Sequence, residues 1–235
     1  MTTLLLLRHG RTPANAGAIL AGWTPDVHLD EVGQKQAAAL AERLRPVPLA
    51  ALRCSPLDRC QETAAAVAEG RDGLRVETDE RLGEVRYGDW TGRPLKELAR
   101  DPMWKVVQQH PSAAVFPGAT GERLANVQAR AVAAVRECNA ALDDNAVYAV
   151  CSHGDVIKAI LADALGMHLD LFQRIVVEPC SVSVVQYTDT RPFVVRVNDT
   201  GGDVRSLIPP KRRRRRKSSS DAVVGGGAGA ADRNE

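Results

Sequence analysis

The sequence predicts an α/β fold, a mostly parallel central sheet with helices on both faces. Three observations predict it. Short apolar runs of strand length alternate with longer stretches in helical period. The first run, Leu4–Leu7, is apolar at every position, which suits a strand buried on both faces of a parallel sheet. Three of the runs end in charged or reactive groups, and ligands of open α/β sheets bind beyond the carboxyl ends of the strands.

Residues 3–7 form the first strand and lead straight into Arg8, His9 and Gly10. After a loop rich in Gly, Pro and Asn, Asp30 precedes a helix over 31–45, with Ala37, Leu40, Ala41 and Leu44 on one face. Pro46 and Pro48 end it. A strand at 49–53 is followed by a helix at 57–69 and a third strand at 74–78. Residues 80–120 are rich in Gly and Pro and leave room for one or two short helices. A long helix over 121–142 carries Leu124, Val127, Ala131, Val135, Cys138 and Leu142 at helical spacing. A strand at 146–152, a helix at 155–165, and two runs at 180–188 and 193–198 complete the body. The last two read as a hairpin.

The chain has 235 residues, so residues 1–205 suffice for one catalytic domain. From 206 the composition shifts to "KRRRRRKSSS" and then to Gly and Ala, which cannot bury a core. Residues 206–235 are expected to be a disordered tail. The net charge of +2 divides into a +5 segment at 211–235 and a −3 body. The basic run Lys211–Lys217 has no interleaved aromatic residue and adjoins an acidic body, so a solvated tail is preferred to a specific nucleic-acid site. The N-terminal leucines are too few for a signal peptide, and no run approaches the roughly 20 apolar residues of a membrane span. The expected location is cytoplasmic, with no membrane partner. The five cysteines form no CxxC pair and lie mostly in apolar surroundings, as reduced core thiols do. Cys151 sits near a histidine, yet a small buried residue is the commoner reading.

The strand ends carry the chemistry. Arg8 and His9 follow the first, Arg59 the second, and His153 the fourth. Two guanidiniums and two imidazoles in one pocket suit phosphoryl transfer. Arginine forks match phosphate oxygens, one imidazole can be the nucleophile, and the other a hydrogen-bond donor. The histidines lack HxH or HExxH spacing, and paired arginines repel a cation, so no metal is expected.

At this point five blocks, in order, resemble the histidine phosphatase superfamily in its phosphoglycerate mutase-like branch. They are "LLRHGRTPAN", "CSPLDRCQET", "DERLGEVRYGDWTG", "FPGATGERLANVQAR" and "VCSHGD", spread over about residues 3–200. The resemblance implies a three-layer α/β/α sandwich and a phosphohistidine on His9. It implies that Arg8, Arg59 and His153 bind the phosphoryl group, with Thr12 and Asn15 lining the phosphate or substrate side. Glu84 is the implied general acid, and no metal or organic cofactor is implied. Mutases of the family carry extra basic residues, including an adjacent arginine pair, after the acid block. Here Arg93, Lys96, Arg100 and Lys105 are spread out, and "YGDWTG" is more similar to the phosphatases. The expected activity is therefore a phosphomonoesterase acting on a small phosphorylated metabolite. A phosphomutase and a non-catalytic phospho-ligand binder are the alternatives; a homodimer is compatible with the sequence. Because no motif lies in the tail, its removal is expected to leave turnover of a small phosphate ester nearly unchanged.

Other candidates have structural readings. His28, His110 and His168 match no block. Glu62 follows Arg59 on a helix face. Trp23 and Trp90 either floor a pocket or pack the core. Glu122 is expected to open the long helix and favour its dipole.

Overall fold

The computed structural model describes residues 1–202 and 222–228. Six strands, β1 (Thr2–Arg8), β2 (Ala51–Cys54), β3 (Val76–Thr78), β4 (Val147–Ser152), β5 (Val182–Tyr187) and β6 (Pro192–Asp199), form one sheet in the order β3-β2-β4-β1-β5-β6. The first four run parallel; β5 pairs antiparallel with β1 and with β6. The α-helices of the described residues are α1 (Pro13–Ala16), α2 (Glu31–Leu44), α3 (Asp58–Ala68), α4 (Leu95–Leu98), α5 (Pro102–Gln109), α6 (Leu124–Ala141) and α7 (Gly154–Ala164). None is long and apolar enough to cross a membrane.

The leucine run works by alternation. Leu4 and Leu6 point into a core shared with α6 and α7, and Leu5 and Leu7 into one shared with α2 and α3. Each leucine is at most 6% exposed, so β1 is apolar throughout because both of its faces are covered. Of the face expected on α2, Ala37, Leu40 and Leu44 are buried and Ala41 is half-buried. On α6 the buried residues include Leu124, Val127, Ala131, Val135 and Cys138.

α6 begins at Leu124, the first residue of its apolar spacing, rather than at the expected 121. Glu122 precedes the helix, where its backbone bonds to Arg86 and Phe116 and its carboxylate pairs with Arg130 at 2.8 Å. Its role is structural, but as an ion-pair partner rather than a residue of the first helical turn.

Register places the site. Arg8 lies opposite Ser152, and Cys54 opposite Cys151, so β1, β2 and β4 end at one edge of the sheet. The loop after β1 packs tightly on the start of α2. A Cβ on Gly33 would lie 2.0 Å from the Arg11 carbonyl oxygen, and one on Gly10 2.7 Å from that of Gly33. Asp30 caps the same helix by accepting from the Gly33 amide at 2.7 Å. Gly33→Ala is therefore expected to cost about 1–3 kcal/mol through overpacking. It should lower the urea midpoint, together with kcat, because the displaced loop carries His9. An unchanged midpoint would show that the loop can shift freely.

The basic segment falls in residues 203–221, outside the described residues, as do residues 229–235. Residues 222–228, assigned by composition to the disordered tail, are described and lie against the body, with Val224 only 1% exposed. Composition averages over the whole tail and does not register one valine seated in an existing core.

Candidate active site

β1 delivers Arg8 and His9 to the sheet edge, and both are buried there. The His9 amide donates to Ser152 O at 3.1 Å, which locks the end of β1 to β4. The Gly10 amide donates to Thr63 Oγ1 at 3.0 Å, which fixes the turn beyond. His9 Nδ1 lies 2.7 Å from the Gly10 carbonyl oxygen. A carbonyl only accepts, so Nδ1 carries the proton and Nε2 keeps its lone pair. Burial, with the Arg59 and Arg8 charges, holds His9 well below the ordinary histidine range. Its imidazole is thus neutral, with a free nucleophilic nitrogen.

His153 follows β4 and faces His9, with ring centroids 5.2 Å apart. Arg59 Nη2 donates to Gly22 O at 2.8 Å and lies 3.3 Å from His153 Nδ1. A guanidinium cannot accept, so Nδ1 accepts and Nε2–H donates to Ser55 Oγ at 2.7 Å. Burial, then the Arg59 charge, lowers His153 well below its ordinary pKa as well. Burial also lowers Arg8 to about 10, so it stays charged near neutrality. Its Nη1 donates to Val177 O at 2.8 Å, while its buried Nε finds no partner among the described residues.

Glu84 enters from the loop after β3 and is 3% exposed. That loop is held by its backbone: Glu84 O accepts from Trp23 Nε1 at 2.6 Å and from Arg130 Nη2 at 3.1 Å. Arg130 also donates to Gly83 O at 2.8 Å. The Glu84 carboxylate accepts from the Val85 amide at 2.9 Å, and its other oxygen lies 3.9 Å from His153 Nδ1. Burial, then the nearby Asp155 charge, pushes Glu84 up to about 7.

A cavity of about 310 Å³ opens on this edge, lined by His9, Thr12, Asn15, Arg59, Glu84 and Tyr87 among others. Arg8 and His153 are fully buried outside its lining. Thr12 and Asn15 line the cavity yet bond to each other in a capping box around α1. Five of the seven residues singled out from the motifs line the cavity, and the other two adjoin them, Arg8 next to His9 in the chain and His153 by its ring contact with His9. His28, His110 and His168 are exposed and neither line the cavity nor contact a residue that the motifs place there. Glu62 turns away to hold the His28 loop, accepting from the Leu29 amide at 2.9 Å. Trp90 is buried against Phe116, and Trp23 lies under the Arg86 guanidinium at 3.8 Å, so both are packing residues. Cys151 is buried. Its hydrogen bond with Cys54, followed by burial, keeps its thiol well above the ordinary range.

Sequence reasoning missed Ser55 and Tyr87 as parts of the site; Thr63 lies in the second block with Arg59, but its contact with the Gly10 amide was not visible there. Ser55 fixes the His153 tautomer. Asp155 accepts from Tyr87 Oη at 2.9 Å and from Lys158 Nζ at 3.2 Å. Only the position of Asp155 beside His153 hinted at it.

Two neutral imidazoles between two guanidiniums, at the carboxyl edge of a parallel sheet, are the equipment of phosphoryl transfer on histidine. The chain belongs to the histidine phosphatase superfamily, branch 1, whose profile matches residues 4–200 and whose members are phosphatases and mutases. It is 31% identical over 211 residues to the "Probable phosphoglycerate mutase GpmB" of Yersinia enterocolitica, covering 88% of this chain and 95% of that one. Among solved structures, YhfR of Bacillus stearothermophilus matches with a TM-score of 0.77 and 32% identity over 85% of this chain and 98% of that one. A mycobacterial glucosyl-3-phosphoglycerate phosphatase, solved with VO3, matches with a TM-score of 0.74 and 28% identity over 84% and 98% of the two chains.

Proposed function

We propose that this protein is a phosphomonoesterase, transferring a phosphoryl group from a small phosphorylated metabolite to water through a phosphohistidine on His9. The observation that carries the reading is the 2.7 Å approach of His9 Nδ1 to Gly10 O: a carbonyl only accepts, which assigns the proton to Nδ1 and leaves Nε2 unprotonated at the cavity. Arg59 supplies a guanidinium to the cavity lining, and Arg8 lies buried next to His9, its Nε donor finding no partner among the described residues.

In the first half-reaction Nε2 attacks phosphorus while the bond to the leaving oxygen breaks. Glu84, protonated below about 7, gives its proton to that oxygen. The arriving phosphate dianion adds negative charge beside His153 and favours its protonation, so that Nδ1 turns from acceptor to donor. In the second half-reaction the Glu84 carboxylate takes a proton from water, which attacks the phosphohistidine and frees His9. Thr12 and Asn15, which line the cavity, face the phosphate or the substrate in this reading.

The mutase reading shares the first half-reaction and returns the phosphoryl group to the substrate. The name of the Yersinia relative favours it; the mycobacterial phosphatase and the spread-out basic residues at 93–105 favour hydrolysis. Incubation with 3-phosphoglycerate and other phosphorylated metabolites separates the two. Release of inorganic phosphate as the main product is expected. Interconversion of phosphoglycerates without phosphate release would overturn hydrolysis. Turnover is also expected to survive EDTA, because the arginines and His153 balance the developing charge. Loss of activity restored by one divalent metal would contradict this.

A further inference from the structure

Residues 222–228 are held across the mouth of the site at four points. Gln108 clasps Ala222 at both backbone groups: Nε2 donates to Ala222 O at 2.8 Å, and the Ala222 amide donates to Oε1 at 2.9 Å. Val224 is buried, a member of the core cluster that also holds Leu20 and Tyr87. The Gly225 amide donates to Asp155 Oδ2 at 2.9 Å, and Gly225 O accepts from Arg8 Nη2 at 3.4 Å. The glycines are required there. Gly225 and Gly226 both have φ of 75°, which L side chains rarely adopt. A Cβ on Gly226 would lie 2.8 Å from Arg8 Cζ, and one on Gly154 3.1 Å from Gly225 O. The Gly-rich run therefore fits a groove that itself depends on a glycine.

This segment separates two hollows. One is the cavity at His9; the other, about 380 Å³, runs along Lys158, Gln173, Ile175, Val177 and Glu178. Val223, Gly226, Gly227 and Ala228 line both. Without the segment, the two would join into one trench from His9 to Lys158.

We propose that residues 222–228 form a strap that sets the size of the leaving group. The proposal rests on the reading of the His9 cavity as the phosphoryl-transfer site. With the strap seated, the cavity takes small esters, because His9 and Arg59 remain in its lining. Bulky esters need the strap withdrawn so that the leaving group can extend towards Lys158. The seat is only marginally favourable, since four hydrogen bonds and one buried valine must offset the ordering of seven residues. Withdrawal is thus a thermally accessible step.

Three proteins test it: the full chain, a truncation after Asp221 that keeps the basic run, and full-length Gln108→Ala. Phenyl phosphate and biphenyl-4-yl phosphate hold the leaving-group chemistry nearly constant while changing its size. Truncation is expected to raise the biphenylyl-to-phenyl ratio of kcat/KM about ten-fold, the factor imposed by a strap seated roughly nine-tenths of the time. Gln108→Ala should raise it about three-fold, as loss of one clasp weakens the seat. The same order should appear in dissociation constants for phenylphosphonate and biphenyl-4-ylphosphonate, which need no turnover. Unchanged ratios in both assays, or a truncated protein equally impaired on both esters with Gln108→Ala like the full chain, would overturn the strap. If neither ester turns over but the phosphonate ratio shifts, the strap stands and the catalytic reading falls. If the truncated protein does not fold, Gln108→Ala carries the test.

Discussion

His9→Ala is expected to lose turnover by a factor on the order of 10,000 or more, as removal of a nucleophile does, while the protein stays folded. The catalytic argument runs through one lone pair. His9 Nε2 is free because Nδ1 is committed to Gly10, and it is unprotonated because burial and two guanidiniums disfavour the imidazolium. Neither Cys151 nor His153 can replace it. Cys151 is buried with its thiol raised far from ionisation, and His153 Nε2 is bound to Ser55.

The stability argument is separate. The core beneath His9 is built by Leu4–Leu7, which the substitution leaves alone. His9 borders an existing cavity, so truncation mostly enlarges that space, and a cost of about 1 kcal/mol is expected, ordinary for a point substitution. Phosphate binding should largely survive, because Arg8 and Arg59 remain. Mixing enzyme with labelled substrate, quenching in alkali and mapping the acid-labile phosphate should place label on His9 of the wild type and nowhere in the variant. Label on Cys151 would replace the mechanism; a variant that retains its rate would remove His9 from it.

The fold was legible where one residue does one job. Leu4–Leu7, Asp30 with its helix, and the spacing from Leu124 to Cys138 each report a local pattern that packing then respects. The candidate site residues stood out for a related reason. Arg8, Arg59 and His153 follow strands that end together, and such ends are where polar groups can meet. What stayed hidden depends on contacts between distant segments. Thr63 lies in the second block, but what it does was hidden: its hydroxyl meets the Gly10 amide, 53 positions away in sequence. Ser55 matters because its hydroxyl sets the proton on His153. Neither contact leaves a periodicity. The seated strap was hidden more deeply, since a Gly-rich, low-complexity run gives no sign that its missing side chains match a groove over Arg8. Glu122 shows a subtler difference: its role is structural, but its partner is Arg130, and the helix starts after it.

Glu84→Gln is expected to slow an alkyl phosphate by about 100- to 10,000-fold, the range a needed general acid supplies, and to slow p-nitrophenyl phosphate far less. An alkoxide leaves only with a proton, whereas a nitrophenolate is stable enough to leave alone. The pH profile gives the second readout. A free glutamate titrates near roughly 4.3 and would be almost fully ionised at neutrality. Burial, then the Asp155 charge, raises Glu84 to about 7, so the acid form is present below that pH and disappears above it. The alkaline limb of the wild-type profile for an alkyl phosphate should therefore fall through about 7. The acid limb belongs to His9, whose pKa is lowered, so it lies well below the ordinary histidine range and leaves a plateau between the limbs. In Glu84→Gln the residual alkyl-phosphate rate should lose the alkaline limb near neutrality and keep the acid one. Asp155 is a poor substitute acid, because its oxygens already accept from Tyr87, Lys158 and Gly225. If both substrates lose the same factor and the alkaline limb persists in the variant, Glu84 does not donate the proton, and the raised pKa reflects burial beside His153 without a catalytic role.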